Sequence, residues 1–159
     1  MSLDAPSPAH IDGTGLRIAV AAARFNEALV DALLADAKAT LESAGAEAPV
    51  VERVPGSAEL PYAASLLAET GDFDAIIVLG VVIAGDTDHH RIIGDSTAVA
   101  LQELSILRQV PLINGILIVN SRAQAEARCT GDIRRGREFA ESALAMAQLK
   151  NKWTKQNNP

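Results

Sequence analysis

The sequence contains a single cysteine, Cys129, so it can form neither an intrachain disulfide nor a cysteine-rich zinc site. Aromatic residues make up only 3% of the chain, which leaves Ala, Val, Ile and Leu to build a core. No apolar stretch reaches membrane-spanning length. Met1 to Asp12 lacks the basic and apolar regions of a secretory signal, so a cytoplasmic protein without membrane contact is expected. Positive charge is short as well. The net charge of −6 argues against a nucleic-acid partner. Walker, GxGxxG and nucleophile-elbow motifs are missing, as is any metal-ligand cluster. The residues therefore suggest no metal site.

What is present is apolar and periodic. Hydrophobic residues are 48% of 159, enough for one packed domain. Residues 1–15 read as a loose N-terminal arm, 16–153 as a single α/β domain and 154–159 as a polar tail. Segments 17–23, 50–54, 75–83 and 111–119 read as strands. Helical spacing follows each: Leu29, Leu33, Ala37 and Leu41; the stretch to about Thr70; residues 92–107 with Val99, Leu101, Leu104 and Leu107; and a last pair, a short helix to about Arg128 and a long one over 134–150 with Phe139, Leu144, Met146 and Leu149. Asn26 and Ser121 stand as N-caps, and Gly45 ends the first helix. Strands alternating with helices imply a parallel sheet covered on both faces.

In open α/β sheets ligands sit beyond the carboxyl ends of the strands, and each strand here ends in polar or unusual residues. Gly85-Asp86-Thr87 opens a helix and fits a phosphate; equally, Asp86 or Thr87 is a plain N-cap. His89 transfers protons at such an edge, or is a solvated surface histidine. Phe25 stacks on a flat heterocycle, or staples the first helix. Glu59 accepts from ring N–H groups or serves the helix dipole. Asn114 interrupts an apolar strand, and a buried amide there needs a ligand or an internal partner. Arg134, Arg135 and Arg137, with Arg128 before them, complement a phosphate or form a solvated helix start.

Taken in order, several segments resemble the lumazine synthase family. They are Ala23-Arg24-Phe25-Asn26, Val54-Pro55-Gly56-Ser57-Ala58-Glu59-Leu60-Pro61, the stretch from Leu79 to His89, Pro111 to Leu117, and Gln124 to Arg128. The resemblance runs from residue 17 to about 150. It implies a three-layer flavodoxin-like α/β sandwich with a four-stranded parallel sheet and an N-terminal arm joining a neighbouring subunit. It also implies an activity: condensation of 5-amino-6-ribitylaminouracil with 3,4-dihydroxy-2-butanone 4-phosphate, the penultimate step of riboflavin biosynthesis, without metal or redox cofactor. By the same resemblance His89 is the proton-transfer histidine. Phe25, Ser57, Ala58, Glu59, Val81, Val82, Ile83 and Asn114 hold the ribitylaminouracil. Asp86, Thr87, Arg128 and Arg135 receive the butanone phosphate. The site would lie between subunits of a homopentamer, with Asn114 and Arg128 supplied by the neighbour. The short turn over 129–133 is compatible with a 60-subunit icosahedral shell.

The chain departs from the family pattern beside the histidine. His90 and Arg91 stand where an aromatic residue and an acid are usual, and a cation next to His89 opposes its protonation. Ala84 replaces a frequent Arg, Asp86 a frequent Glu, and Asp88 adds charge near the phosphate loop. Two alternatives to the enzyme follow: a catalytically weak or inactive oligomeric shell of the same fold, and a binder of flavin or ribityl compounds.

Overall fold

Strand β1 (Ile18–Ala23) is buried at every position, which marks it as an interior strand covered on both faces. The computed structural model describes residues 11–154. After β1 come α1 (Glu27–Ser43), β2 (Val50–Val54), a 3₁₀ turn (Ser57–Glu59), α2 (Leu60–Glu69), β3 (Ala75–Ile83), α3 (His89–Arg108), β4 (Leu112–Val119), α4 (Arg122–Cys129) and α5 (Arg135–Thr154). The four strands form one sheet in the order β2-β1-β3-β4, with every pairing parallel. That is the doubly wound flavodoxin-like order. The expected three-layer α/β sandwich is therefore present.

Side chains alternate across the sheet and build two cores. On one face Val20, Ala22, Ile77 and Leu79 pack with Leu33 of α1, Ala125 of α4 and Leu144 of α5. On the other, Ala19, Ala21, Ile76 and Val78 pack with Leu60 and Ala64 of α2 and Leu101 of α3. Helices α1 and α5 meet at backbone distance. A Cβ at Gly136 would collide with the Leu33 carbonyl, so only glycine permits this approach. Three residues on, the Asp36 carboxylate accepts from the Arg137 amide and from Arg134 Nε, each at 2.9 Å. An acid on one helix thus serves the positive start of another.

Several expectations need correction. Asn26 stands at the start of α1, but its side chain makes no cap; its backbone is left-handed, at φ 56°. Helix α3 starts at His89, not Ile92, and its N-cap is Asp88 rather than Asp86 or Thr87. Of its expected core residues Leu101 is buried and Leu104 packs at the edge of the second core. Val99 and Leu107 are exposed, Leu107 by 78%. Met146 and Leu149 of α5 are exposed too, while Phe139 and Leu144 are buried. The physical reason is shared: helical spacing identifies an apolar face, not what covers it. Gly45 (φ 79°) and Ser121, whose Oγ accepts from the Gln124 amide, terminate and cap as expected.

The first ten residues of the expected arm, and most of the polar tail, lie outside the described residues. Within it, the Gly13 amide donates to the Ala44 carbonyl at 2.7 Å and Gln148 donates to the Asp12 carbonyl at 2.8 Å. Among the described residues, no helix is long and apolar enough to cross a membrane.

Candidate active site

The exits of β1 and β2 are tied together by their backbones. The Arg24 amide donates to the Val54 carbonyl at 2.9 Å and the Phe25 amide to the Pro55 carbonyl at 3.2 Å. These bonds hold the Phe25 turn over Gly56. A Cβ at Gly56 would stand 3.3 Å from Phe25 Cδ2 and 3.2 Å from Glu59 Oε2, so glycine leaves room for both. The Glu59 carboxylate in turn accepts from the Gly56 amide at 2.8 Å. Phe25 is 73% exposed. A staple would bury that ring against Val30, four residues into α1, so the staple reading of Phe25 is overturned. The ring instead presents an open aromatic face beside a carboxylate.

Ser57 lies beneath this turn, only 7% exposed, against the backbone of β3. A Cβ at Gly80 would collide with Ser57 Oγ, so the absence of a side chain at 80 is what admits Ser57. Ala58 and Glu59 are exposed at the edge, Val81 is buried, and Val82 and Ile83 are half-buried. The sequence thus brings Phe25, Ser57, Ala58, Glu59 and the β3 end to one sheet edge.

Beyond β3 the exposed residues Asp86, Thr87 and Asp88 lead into α3, whose first residue is the exposed His89. The start of α3 therefore presents its positive dipole end at the same edge. His90 turns back on the loop. Its Nδ1 lies 3.1 Å from the Thr87 carbonyl. Arg91 is exposed one residue further on.

The remaining candidates lie elsewhere. Asn114 is not a buried amide. It sits exposed on β4, an edge strand, and its Oδ1 accepts from the Ile116 amide two residues along at 3.0 Å. Arg128 lies in the last turn of α4, in the helical layer across the sheet from α3, and its Nη1 donates to the Gln124 carbonyl at 2.9 Å. Arg135 opens α5 and is ion-paired with Glu138; Arg137 pairs with Glu141 at 3.0 Å and Arg134 with Asp36. Acids of α1 and α5 thus engage the basic run, while Arg134 stays exposed.

Cys129 is 6% exposed beside Arg128. Burial pushes its thiol up to about 11, against the opposing pull of the Arg128 guanidinium. Among the described residues there is no group of three or more His, Cys, Asp or Glu that would hold a metal ion.

Sequence reasoning missed the part of Gly80, whose role depends on a neighbour 23 positions earlier. It also missed the side-chain partner of Asn26. No local signal separates an asparagine that caps its own helix from one that reaches across to another strand.

Comparison with known proteins covers nearly the whole domain. Residues 15–151 match the family model of 6,7-dimethyl-8-ribityllumazine synthase. A protein of that name from Methylobacterium radiotolerans is 46% identical over 147 residues, covering 92% of this chain and 89% of the relative. The 6,7-dimethyl-8-ribityllumazine synthase 1 of Rhodopseudomonas palustris is 40% identical over 157 residues, with coverage of 95% and 96%. A namesake from Thermococcus onnurineus is 39% identical over 140 residues, covering 88% of this chain and 92% of the relative. With the parallel 2-1-3-4 sheet and its aromatic, acidic and histidine-bearing edge, these matches place the chain in the 6,7-dimethyl-8-ribityllumazine synthase family.

Proposed function

We infer that this chain condenses 5-amino-6-(D-ribitylamino)uracil with 3,4-dihydroxy-2-butanone 4-phosphate to give 6,7-dimethyl-8-ribityllumazine. The observation that carries this reading is the convergence of Phe25, Ser57, Glu59 and the β3–α3 junction on one sheet edge, in a chain matching the family over 15–151. The open Phe25 face takes the pyrimidine, and Ser57, Ala58 and Glu59 with Val81, Val82 and Ile83 take its edge and the ribityl chain. Asp86 and Thr87, through the loop backbone at the start of α3, receive the phosphate.

The chemistry needs only protons and placement. The uracil amine adds to the butanone carbonyl and water leaves, giving a Schiff base. Loss of a proton from carbon then expels inorganic phosphate. The second amine closes the ring on the remaining carbonyl with loss of another water. Each step moves a proton, and His89, exposed at the helix start, is the group that carries it. Holding the two substrates together supplies much of the rest.

The site is open in one subunit, and Arg128 lies across the sheet from His89. Both features support completion by a neighbouring subunit, which would contribute Asn114, Arg128 and Arg135. Exposed Tyr62 and Leu66 on α2, and Val99 and Ile106 on α3, supply the apolar area for such contact. We read the assembly as a homopentamer with the capacity to form a larger shell, acting in the cytoplasm. The names of the matching relatives support the enzyme over the inactive-shell alternative.

The test is a steady-state assay with both substrates, following the lumazine chromophore. Wild type turns over. His89→Ala loses about tenfold or more in kcat, short of the ~10²–10⁴ that acid–base catalysis reaches where it dominates. Unchanged kcat in the variant removes His89 from the mechanism; an inactive wild type that assembles normally sinks the reading itself.

A further inference from the structure

Asn26 combines three features that a helix cap does not explain. Its backbone is left-handed, at φ 56° and ψ 43°, a conformation that asparagine tolerates better than most residues. Its side chain makes no hydrogen bond to α1. Instead Nδ2 donates to the Val81 carbonyl at 2.8 Å, spanning 55 residues of sequence. Strand pairing accounts for this reach. The register of β1 with β3 ends at Ala22 opposite Leu79. Beyond that point β1 turns away through Arg24 and Phe25, while β3 continues to Ile83. The Asn26 amide takes up the β1 side of β3 two residues further on, where no strand remains to do so.

The bond joins two pieces of the same subsite. Phe25, next to Asn26, offers the aromatic face; Val81 begins the strand end that faces the ring edge. On the β2 side the Phe25 turn is held by the Arg24 and Phe25 amides; the bridge ties it to β3. We propose that Asn26 is a positioning residue for the ribitylaminouracil subsite, fixing the separation between the Phe25 ring and the Val81–Ile83 backbone. This rests on the function proposed above. Asn26 acts through Phe25 and Val81, so its loss falls on one substrate and not the other.

Two variants test it. Asn26→Gly keeps the left-handed backbone accessible and removes the donor. Asn26→Asp keeps the shape but sets a carboxylate oxygen against the Val81 carbonyl. The Michaelis constants for the two substrates are measured separately, with Tm and particle size recorded on the same samples. The expected result is a rise of about tenfold in KM for ribitylaminouracil, larger for Asp than for Gly, with KM for the butanone phosphate within twofold of wild type. Equal rises for both substrates, or a lowered Tm with both constants unchanged, overturn the proposal and leave Asn26 a structural residue. Variants that match an active wild type overturn the proposal alone. An inactive wild type overturns the functional reading and this proposal with it.

Discussion

Gly80 is the position where the interior of the fold and the proposed site share one atom's width, and Gly80→Ala measures that margin. Local preference favours the change, since glycine inside a strand costs roughly 0.5–1 kcal/mol relative to alanine. Packing opposes it. A Cβ on Gly80 would overlap Ser57 Oγ, stand 3.2 Å from Leu60 Cδ1 and lie 3.4 Å from Ser57 Cβ. Gly80 is on a buried central strand and Leu60 is fully buried, so neither yields readily. Overpacking of this kind costs about 1–3 kcal/mol. The net effect is a loss of about 1–2 kcal/mol, or about 2–8 °C in Tm for a chain of this size. The worst contact is with the hydroxyl; the approach to Leu60 Cδ1 is tight but milder, and the Cβ–Cβ distance is close to ordinary. Ser57→Ala in the same chain therefore restores most of the loss. Thermal unfolding of wild type, both single variants and the double variant, at one pH and one protein concentration, gives the coupling directly. A Gly80→Ala chain as stable as wild type, or a double variant no better than Gly80→Ala, refutes the reasoning.

Asp36→Ala removes the acceptor for the Arg137 amide and Arg134 Nε and leaves the start of α5 without it; a loss of about 1–2 kcal/mol is expected in denaturant unfolding, the upper part of the range for a lost cap. Cys129 makes the protein less stable in alkali. Its folded thiol is raised to about 11 from 9.0 by burial, so between those values the folded state holds the proton that the unfolded state has lost. This contribution is complete below about pH 9 and is lost as pH rises through 11, about 2–3 kcal/mol in all. The difference in unfolding free energy between wild type and Cys129→Ala, followed from pH 8 to 11, should shrink by that amount; a flat difference contradicts it.

The strands were legible because each apolar run is bounded by glycine, proline or charge, and β3 was readable to the residue at Ala75–Ile83. The start of α3 was not, since His89, His90 and Arg91 carry no apolar period. Burial of Asn114 was inferred from its apolar neighbours, yet whether a strand lies at an edge is set by the order of the sheet, which no local pattern contains. Arg134 looked available because its partner Asp36 lies 98 residues away. The residue types at the strand exits were readable one by one. Their mutual supports — Gly80 under Ser57, Gly56 under Phe25, Asn26 across to Val81 — exist only once the chain is folded.

The seat of α5 on α1 bears on synthesis as well as stability. The Leu33 carbonyl and Asp36 carboxylate leave the ribosome about 100 residues before the Gly136 and Arg137 that dock on them. At roughly 5–20 residues per second the delay is about 5–20 s. Helix formation takes about a microsecond, so speed does not limit α1; its covering helix is still untranslated for the whole of that interval. For those seconds the nascent chain displays Leu33, Ala37 and Leu41, all fully buried in the finished fold, as an uncovered apolar stripe. Newly made chains in this interval are the ones exposed to chaperones, and to each other on a crowded polysome.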